Sequence, residues 1–251
     1  MTSHVELPMG SPQSRIPCDL SLPEFVEASF CRFYPGDHID EGSLPRSFDN
    51  ASEKRKREYR AGRLCAVRAL DVAGCARPGL LDPGPDRLPV WPLGWRGSIS
   101  HSTDCALAAV ASSMDCLALG VDIEKTVDEV VAEDIRSEIS SSDEHALFGS
   151  MDECTKTTLI FSAKESLFKA LYPHVRRFFD FSAARLVKLT ANSMHFVLAQ
   201  SWSRDWPKGK IVKVSYASFE TYVCTAVCIP TSRYIQVQFD RSERSFEIRV
   251  K

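Results

Sequence analysis

Apolar and polar positions change their period several times along the chain, and the changes mark its elements. Between about 50 and 73, Tyr59, Ala66, Ala69, Leu70 and Ala73 form one stripe. That spacing predicts a long helix, opened by Asp49 or Ser52 as cap and stopped at Gly74. A strand is expected ahead of it at 26–34, with a turn at Pro35-Gly36-Asp37. Residues 77–97 are rich in Pro and Gly and read as loop. A strand at 97–101 follows, then an apolar stretch at 105–112, a turn at 113–115, and a strongly alternating strand at 117–124. Residues 128–148 form an acidic, mostly helical segment. A second long helix spans 155–172, with Pro173 as its stop signal. The remainder reads as three hairpins, at 184–189 with 194–198, 211–216 with 222–229, and 234–239 with 246–250. The order predicts an α+β fold in two halves meeting near residue 118. Residues 1–22 lack periodicity and are expected to be a flexible lead-in, followed by an N-terminal unit at 23–118 and a C-terminal unit at 119–251.

Composition narrows the class of protein without naming its chemistry. The chain has 251 residues, 44% of them hydrophobic and 25% charged, which is ordinary for a globular protein able to bury a core. Its formal net charge is −2, so nothing in the balance demands a nucleic acid or an anionic membrane. It contains no apolar run of the roughly 18 residues that a membrane span needs. With His4 and Glu6 and no apolar h-region near the N-terminus, no secretory signal is expected. Nine cysteines at irregular spacing read as reduced thiols of a cytoplasmic protein. Cys224 and Cys228 lie on one face of a strand, but no CxxC or HxxxH pair accompanies them to suggest zinc.

Four segments carry candidate chemistry. In 119–124, Leu119, Val121 and Ile123 alternate with Asp122 and Glu124, so both carboxylates leave the same face of a strand with Cα atoms roughly 6.5 Å apart. Carboxylates so placed repel unless a cation lies between them, and a hard, oxygen-seeking ion such as Mg²⁺ suits the pair. An edge strand with a solvated acidic face is the plainer reading. In the second helix Ser162, Glu165 and Lys169 share a side. Glu165 and Lys169 at i, i+4 also make an ordinary surface ion pair, although Phe161, Phe168 and Leu171 leave this helix little room for solvent. The first helix opens with Lys54, Arg55, Lys56, Arg57, Arg60 and Arg63, among which arginine forks suit phosphate oxygens. A solvated face or a nucleic-acid patch explains the run as well, but no stacking aromatic platform supports the latter. His101, flanked by Ser98, Ser100 and Ser102, is either structural or a phosphate ligand.

Taken in order, segments 54–70 (KRKREYRAGRLCAVRAL), 88–102 (LPVWPLGWRGSISHS), 120–124 (GVDIE) and 161–173 (FSAKESLFKALYP) resemble the 4′-phosphopantetheinyl transferases of the long, surfactin- and enterobactin-synthetase type. Asp122 and Glu165 stand 43 positions apart, near the family's spacing, and the resemblance covers about residues 30–230. It implies two similar α/β subdomains related by a pseudo-twofold axis, in a monomer that clasps coenzyme A between its halves. The implied reaction moves the 4′-phosphopantetheine arm of CoA to a serine of an apo acyl or peptidyl carrier protein, as in a holo-acyl-carrier-protein synthase, and releases 3′,5′-adenosine bisphosphate. By the same resemblance Asp122, Glu124 and Glu165 ligate Mg²⁺, and Glu165 is the general base or orients a water that is. Lys169 contacts the pyrophosphate with Lys164 beside it, while His101 binds a CoA phosphate with Ser100 near. Arg55 and Arg63 hold the 3′-phosphate. The segment around Arg87 approaches the adenine, although relatives often carry a lysine in that loop. Arg176 and Arg177 are candidate carrier contacts. A non-catalytic CoA- or nucleotide-binding protein of the same fold is the alternative.

Overall fold

The computed structural model of the protein describes residues 16–34, 44–45, 48–79, 81–84, 86 and 88–232. Arg87 and the third expected hairpin lie outside the described residues. The order of elements is β1 (Val26–Arg32), α1 (Glu53–Val72), β2 (Trp95–Ser102), β3 (Cys105–Ser112), β4 (Cys116–Lys125), α2 (Glu129–Ile139), α3 (Ser142–Ala146), α4 (Glu153–Val175), a 3-10 turn at Phe181–Ala183, β5 (Ala184–Leu189), β6 (Ser193–Leu198), β7 (Ile211–Phe219) and β8 (Tyr222–Pro230). Two antiparallel sheets result, β1-β3-β2 and β4-β8-β7-β6-β5.

Alternation along the strands sets the layers. In β3, Leu107 and Ala109 face inward to meet Val121 and Ile123 of β4 and Cys224 and Ala226 of β8 in one buried cluster. The intervening Ala106, Ala108 and Val110 face outward against Ala61, Ala66 and Leu70 of α1. On the second sheet Ala118, Phe196, Val214 and Val227 pack under Ile160, Leu167 and Leu171 of α4. Each half therefore places a long helix on the outer face of an antiparallel sheet, and the inner faces share a core. Among the described residues, three strands in one half and five in the other make the halves similar but unequal. Ile16, Cys18, Leu20 and Leu22 pack against the inner core, so the end of the expected lead-in belongs to the folded body. Their every-second-residue apolar spacing carries that signal.

Gly120 explains how closely α4 seats on β4. A Cβ there would lie 2.0 Å from the Ser166 carbonyl oxygen and 2.5 Å from the Ala170 amide nitrogen. Only glycine permits that contact, which brings the acidic face of β4 directly beneath Glu165 and Lys169.

Two helix boundaries differ from expectation. The acidic segment splits, because Ser140 is extended and Ser141 opens α3 with a reciprocal capping box to Glu144. Helix α4 also runs through Pro173 to Val175 and ends where Arg176 turns left-handed, with φ 51°. A proline in the last turn removes one donor near the frayed end and costs far less there than mid-helix.

Candidate active site

The two sheets meet edge to edge along β2 and β4, and side chains join them. Ser98, Ser100 and Ser102 alternate on one face of β2. The Val121 N–H donates to Ser98 Oγ at 3.0 Å and the Lys125 N–H to Ser102 Oγ at 3.1 Å. Between them the Ser100 hydroxyl donates to Asp122 Oδ1 at 2.7 Å, and the Ser102 hydroxyl reaches Glu124 Oε2 at 3.2 Å. Lys169 descends from α4 onto this seam, donating to Asp122 Oδ1 at 2.6 Å and to Ser100 Oγ at 2.8 Å. Residues from β2, β4 and α4 thus converge on one ammonium group.

Burial gives this cluster unusual electrostatics. Asp122 is 1% exposed, yet its Oδ2 has no hydrogen-bond partner. A buried carboxylate oxygen left so costs on the order of 1–3 kcal/mol and favours any cation that reaches it. Desolvation, reinforced by the charge of Asp122, pushes the Glu124 carboxyl up to about 7. Glu165 is likewise raised by burial, with Lys169 opposing and Asp122 adding to the shift. Among the described residues, no group of three or more His, Cys, Asp or Glu side chains forms a preassembled metal site. Lys169 supplies the positive charge at Asp122.

A second group lies where β2 meets α1. Arg55 donates to His101 Nε2 at 2.6 Å and pairs with Glu58 Oε2 at 3.3 Å, while His101 Nδ1 is 3.7 Å from the same carboxylate oxygen. Burial lowers the His101 pKa to about 4 against the pull of Glu58, and the Arg55 and Lys169 charges lower it further. The imidazole is therefore neutral at pH 7. It accepts through Nε2 and presents Nδ1–H to Glu58, which steadies an exposed guanidinium.

Two expected ligands sit elsewhere. Arg63 is buried, donates through Nε to the Leu81 carbonyl at 2.8 Å and covers the Tyr59 ring at 4.5 Å, so it braces α1 against the following loop. Lys164 turns away from the seam: its Nζ donates to Ile139 O at 2.7 Å, Phe181 O at 3.0 Å and Glu144 Oε1 at 2.9 Å. Backbone carbonyl oxygens, joined at Lys164 by the Glu144 carboxylate, satisfy these groups internally. Arg176 pairs with Asp86 across the two halves, and the Arg177 guanidinium lies 4.9 Å over Phe179.

A cavity of about 630 Å³ opens beside the seam, lined in part by Trp91, Trp95, Arg96, Lys169, Tyr172 and His174. Arg96, with a buried Nε lacking a partner, was not among the residues selected from sequence. Its place in the WRGSISHS run, two residues before β2 begins its buried alternation at Ser98, is the available signal. A smaller cavity of about 280 Å³ lies on the other side of Phe168, walled by Glu165, Phe178, Phe179, Phe181 and Trp202.

A mixed α+β body whose two halves bring carboxylates, a lysine and an arginine-histidine pair to their common seam has the parts of a phosphoryl-group-transfer enzyme. Comparison with known proteins gives the family. Residues 44–111 match the 4′-phosphopantetheinyl transferase N-terminal domain, and residues 118–227 match the 4′-phosphopantetheinyl transferase superfamily. Enterobactin synthase component D of Salmonella typhimurium is 31% identical over 245 residues, covering 96% of this chain and 95% of that protein. The component D of Salmonella typhi is 34% identical over 204 residues, 79% of this chain and 80% of the relative. The 4′-phosphopantetheinyl transferase Npt of Nocardia iowensis is 30% identical over 166 residues, 66% and 73% of the two chains. The chain belongs to the 4′-phosphopantetheinyl transferase superfamily. It is an enzyme that transfers phosphopantetheine to carrier proteins.

Proposed function

We propose that the reaction occurs at the β2–β4 seam, with CoA as donor and a carrier serine as acceptor. The observation that carries this placement is the convergence of Lys169, Ser100 and Asp122, with one buried Asp122 oxygen free. The serine oxygen forms a bond to the phosphorus that bears the pantetheine arm. The pyrophosphate bond breaks, and 3′,5′-adenosine bisphosphate leaves with the bond's electron pair. Glu165 takes the serine proton directly or through one water, and its burial-raised pKa suits a base working near neutrality. Lys169 neutralises charge on the pyrophosphate oxygens. Arg55, steadied by His101 and Glu58, contacts the 3′-phosphate. Arg63 and Lys164 support these groups from behind.

Asp122, Glu124 and Glu165 fit Mg²⁺ in chemistry: the donors are all oxygen, and the ion commonly takes one or two carboxylates and completes its shell with phosphate oxygens and water. When bound there it would offset charge on the pyrophosphate. Both halves that form the seam come from one chain, which supports a monomer as the working unit. Among the described residues no helix is long and apolar enough to cross a membrane, and free cysteines throughout suit a cytoplasmic setting.

The test is incubation with CoA, Mg²⁺ and several apo carrier proteins, reading intact carrier mass. A gain of one phosphopantetheinyl group, abolished by EDTA and by Ser→Ala in the carrier, is expected. Transfer that persists undiminished in EDTA overturns the Mg²⁺ assignment. Transfer that survives in Glu165→Gln removes Glu165 as base, because loss of a general base costs about 10²- to 10⁴-fold.

A further inference from the structure

Helix α4 carries adjacent lysine and glutamate residues with opposite destinations. Glu165 looks toward the seam and the small aromatic cavity. Lys164, 5% exposed, enters the body of the C-terminal half. Each of its three N–H bonds has an acceptor: the last carbonyl of α2 at Ile139, the first carbonyl of the 3-10 turn at Phe181, and Glu144 of α3. Glu144, 3% exposed, is equally engaged. Its Oε1 also accepts from the Leu186 N–H of β5 at 2.9 Å, and its Oε2 accepts from the Ser141 N–H at 2.9 Å and the Ser141 hydroxyl at 3.1 Å. This buried pair joins α2, α3, α4, the 3-10 turn and β5 at one point.

That point lies at the wall of the cavity of about 280 Å³, which Lys164 and Glu165 both line. Phe178, Phe179 and Phe181 form much of the wall, and all three fall between the end of α4 and the carbonyl held by Lys164 or beside it. Phe178 continues the wall by stacking on Phe168 of α4, with ring centroids 5.4 Å apart, and Phe181 lies against Phe161 at 5.7 Å. The aromatic strip is therefore attached to α4 by ring contacts and by a single ammonium group. Hydrophobic contacts tolerate sliding, whereas three hydrogen bonds from one nitrogen fix both distance and direction.

We propose that Lys164, through Glu144, is a positioning residue that sets the aromatic wall against α4 and so fixes where Glu165 meets the incoming serine, while neither Lys164 nor Glu144 binds CoA through its charge. This rests on the reading of Glu165 as base. A buried pair of this kind adds little net stability compared with an apolar pair of the same shape, but removing one partner strands the other charge. What the pair supplies is geometry rather than net stability.

The test uses the full chain with Glu144→Gln, Lys164→Met, the double variant, and Glu144→Asp, which retains the charge but is one methylene short of spanning Lys164 and Leu186. Turnover at saturating carrier, CoA Kd by calorimetry and melting temperature are measured, with Glu165→Gln alongside. Each variant is expected to lose about tenfold or more in kcat with CoA Kd within about twofold, since a misplacement near 1 Å costs on the order of 10²-fold. The double variant, having no stranded charge, regains much of the melting temperature lost by Lys164→Met without regaining kcat. Normal kcat in a folded double variant or in Glu144→Asp overturns the proposal. So does a CoA Kd that rises for Lys164→Met alone, which would make the lysine a ligand. If Glu165→Gln is inactive while those variants are normal, only the positioning role fails. If Glu165→Gln turns over normally, the reading of the base fails first.

Discussion

At the scale of single residues, similar side chains in one motif have been given different work by burial. Arg55 and Arg63 both belong to the basic opening of α1, and sequence reading assigned both to the same phosphate. Arg55 remains exposed and is held by His101, whereas Arg63 is committed to Leu81 and Tyr59. Arg55→Ala is therefore expected to weaken CoA by roughly 10- to 100-fold, the worth of a charge-assisted hydrogen bond, and to leave dephospho-CoA nearly unchanged. Competition binding with the two nucleotides checks this, and equal weakening of both would sever Arg55 from the 3′-phosphate. Arg63→Ala is expected to lower the melting temperature without discriminating between the two ligands. Helical spacing told which residues share a face of α1, but it does not tell which end of a long side chain finds a partner in a later loop. That is why Arg63 was legible as basic and not as structural.

At the scale of elements, the sequence was most informative where period and burial agree. Alternation at 119–124 correctly separated Val121 and Ile123, which enter the inner core, from Asp122 and Glu124, which lie beneath α4. It could not show that Gly120 is the point of contact for a helix far along the chain. Gly120→Ala is expected to destabilise the protein by about 1–3 kcal/mol or more, since the new methyl group meets backbone atoms that have nowhere to go. Urea unfolding measures it, and an unchanged midpoint would show that α4 can lift off β4 without penalty. The serine run at 140–142 was hidden within an acidic helical segment, because a cap is visible only when the chain is seen to turn there. Glu144, the reciprocal partner in that capping box, is subject to opposing influences: burial raises its pKa, but the Leu186 N–H, Lys164 and the Ser141 N–H together hold it below the usual 4.5. A carboxyl depressed in the folded state stabilises the fold above its unfolded pKa and loses that contribution as pH falls through the folded value. Stability of the wild type should therefore fall more steeply below about pH 4.5 than that of Glu144→Gln. Parallel acid-titrated urea curves for the two would contradict the depression.

At the scale of the molecule, the mixed α+β plan could be anticipated from element order, and residue 118, where the two halves are expected to meet, lies within β4. The geometry of the joint could not be. Cysteines spaced irregularly in sequence also come together in space: Cys31 and Cys65 lie with sulfurs 3.3 Å apart, and Cys116 and Cys228 at 3.8 Å. Such pairs join residues 34 and 112 positions apart, a separation for which no local pattern exists. In the sequence the serines of β2 stand out only as the flanks of His101. Ser98 and Ser102 instead fasten one half to the other, a use that becomes visible only when β4 is laid beside β2.

That fastening gives the joint its own reporters. Within a continuous sheet an amide exchanges its hydrogen slowly because a neighbouring strand's carbonyl holds it, and only loss of the sheet releases it. Here the amides of Val121 and Lys125 are held by hydroxyl groups on rotatable side chains of the opposite half. Deuterium uptake at these two positions therefore times the parting of the halves and is separable from unfolding of either. Ser98→Ala should accelerate exchange at Val121 while leaving the amides deep in β3 and β8 slow. Comparing that clock with and without CoA would show whether the enzyme binds its donor as a closed body or as two halves that come apart and rejoin.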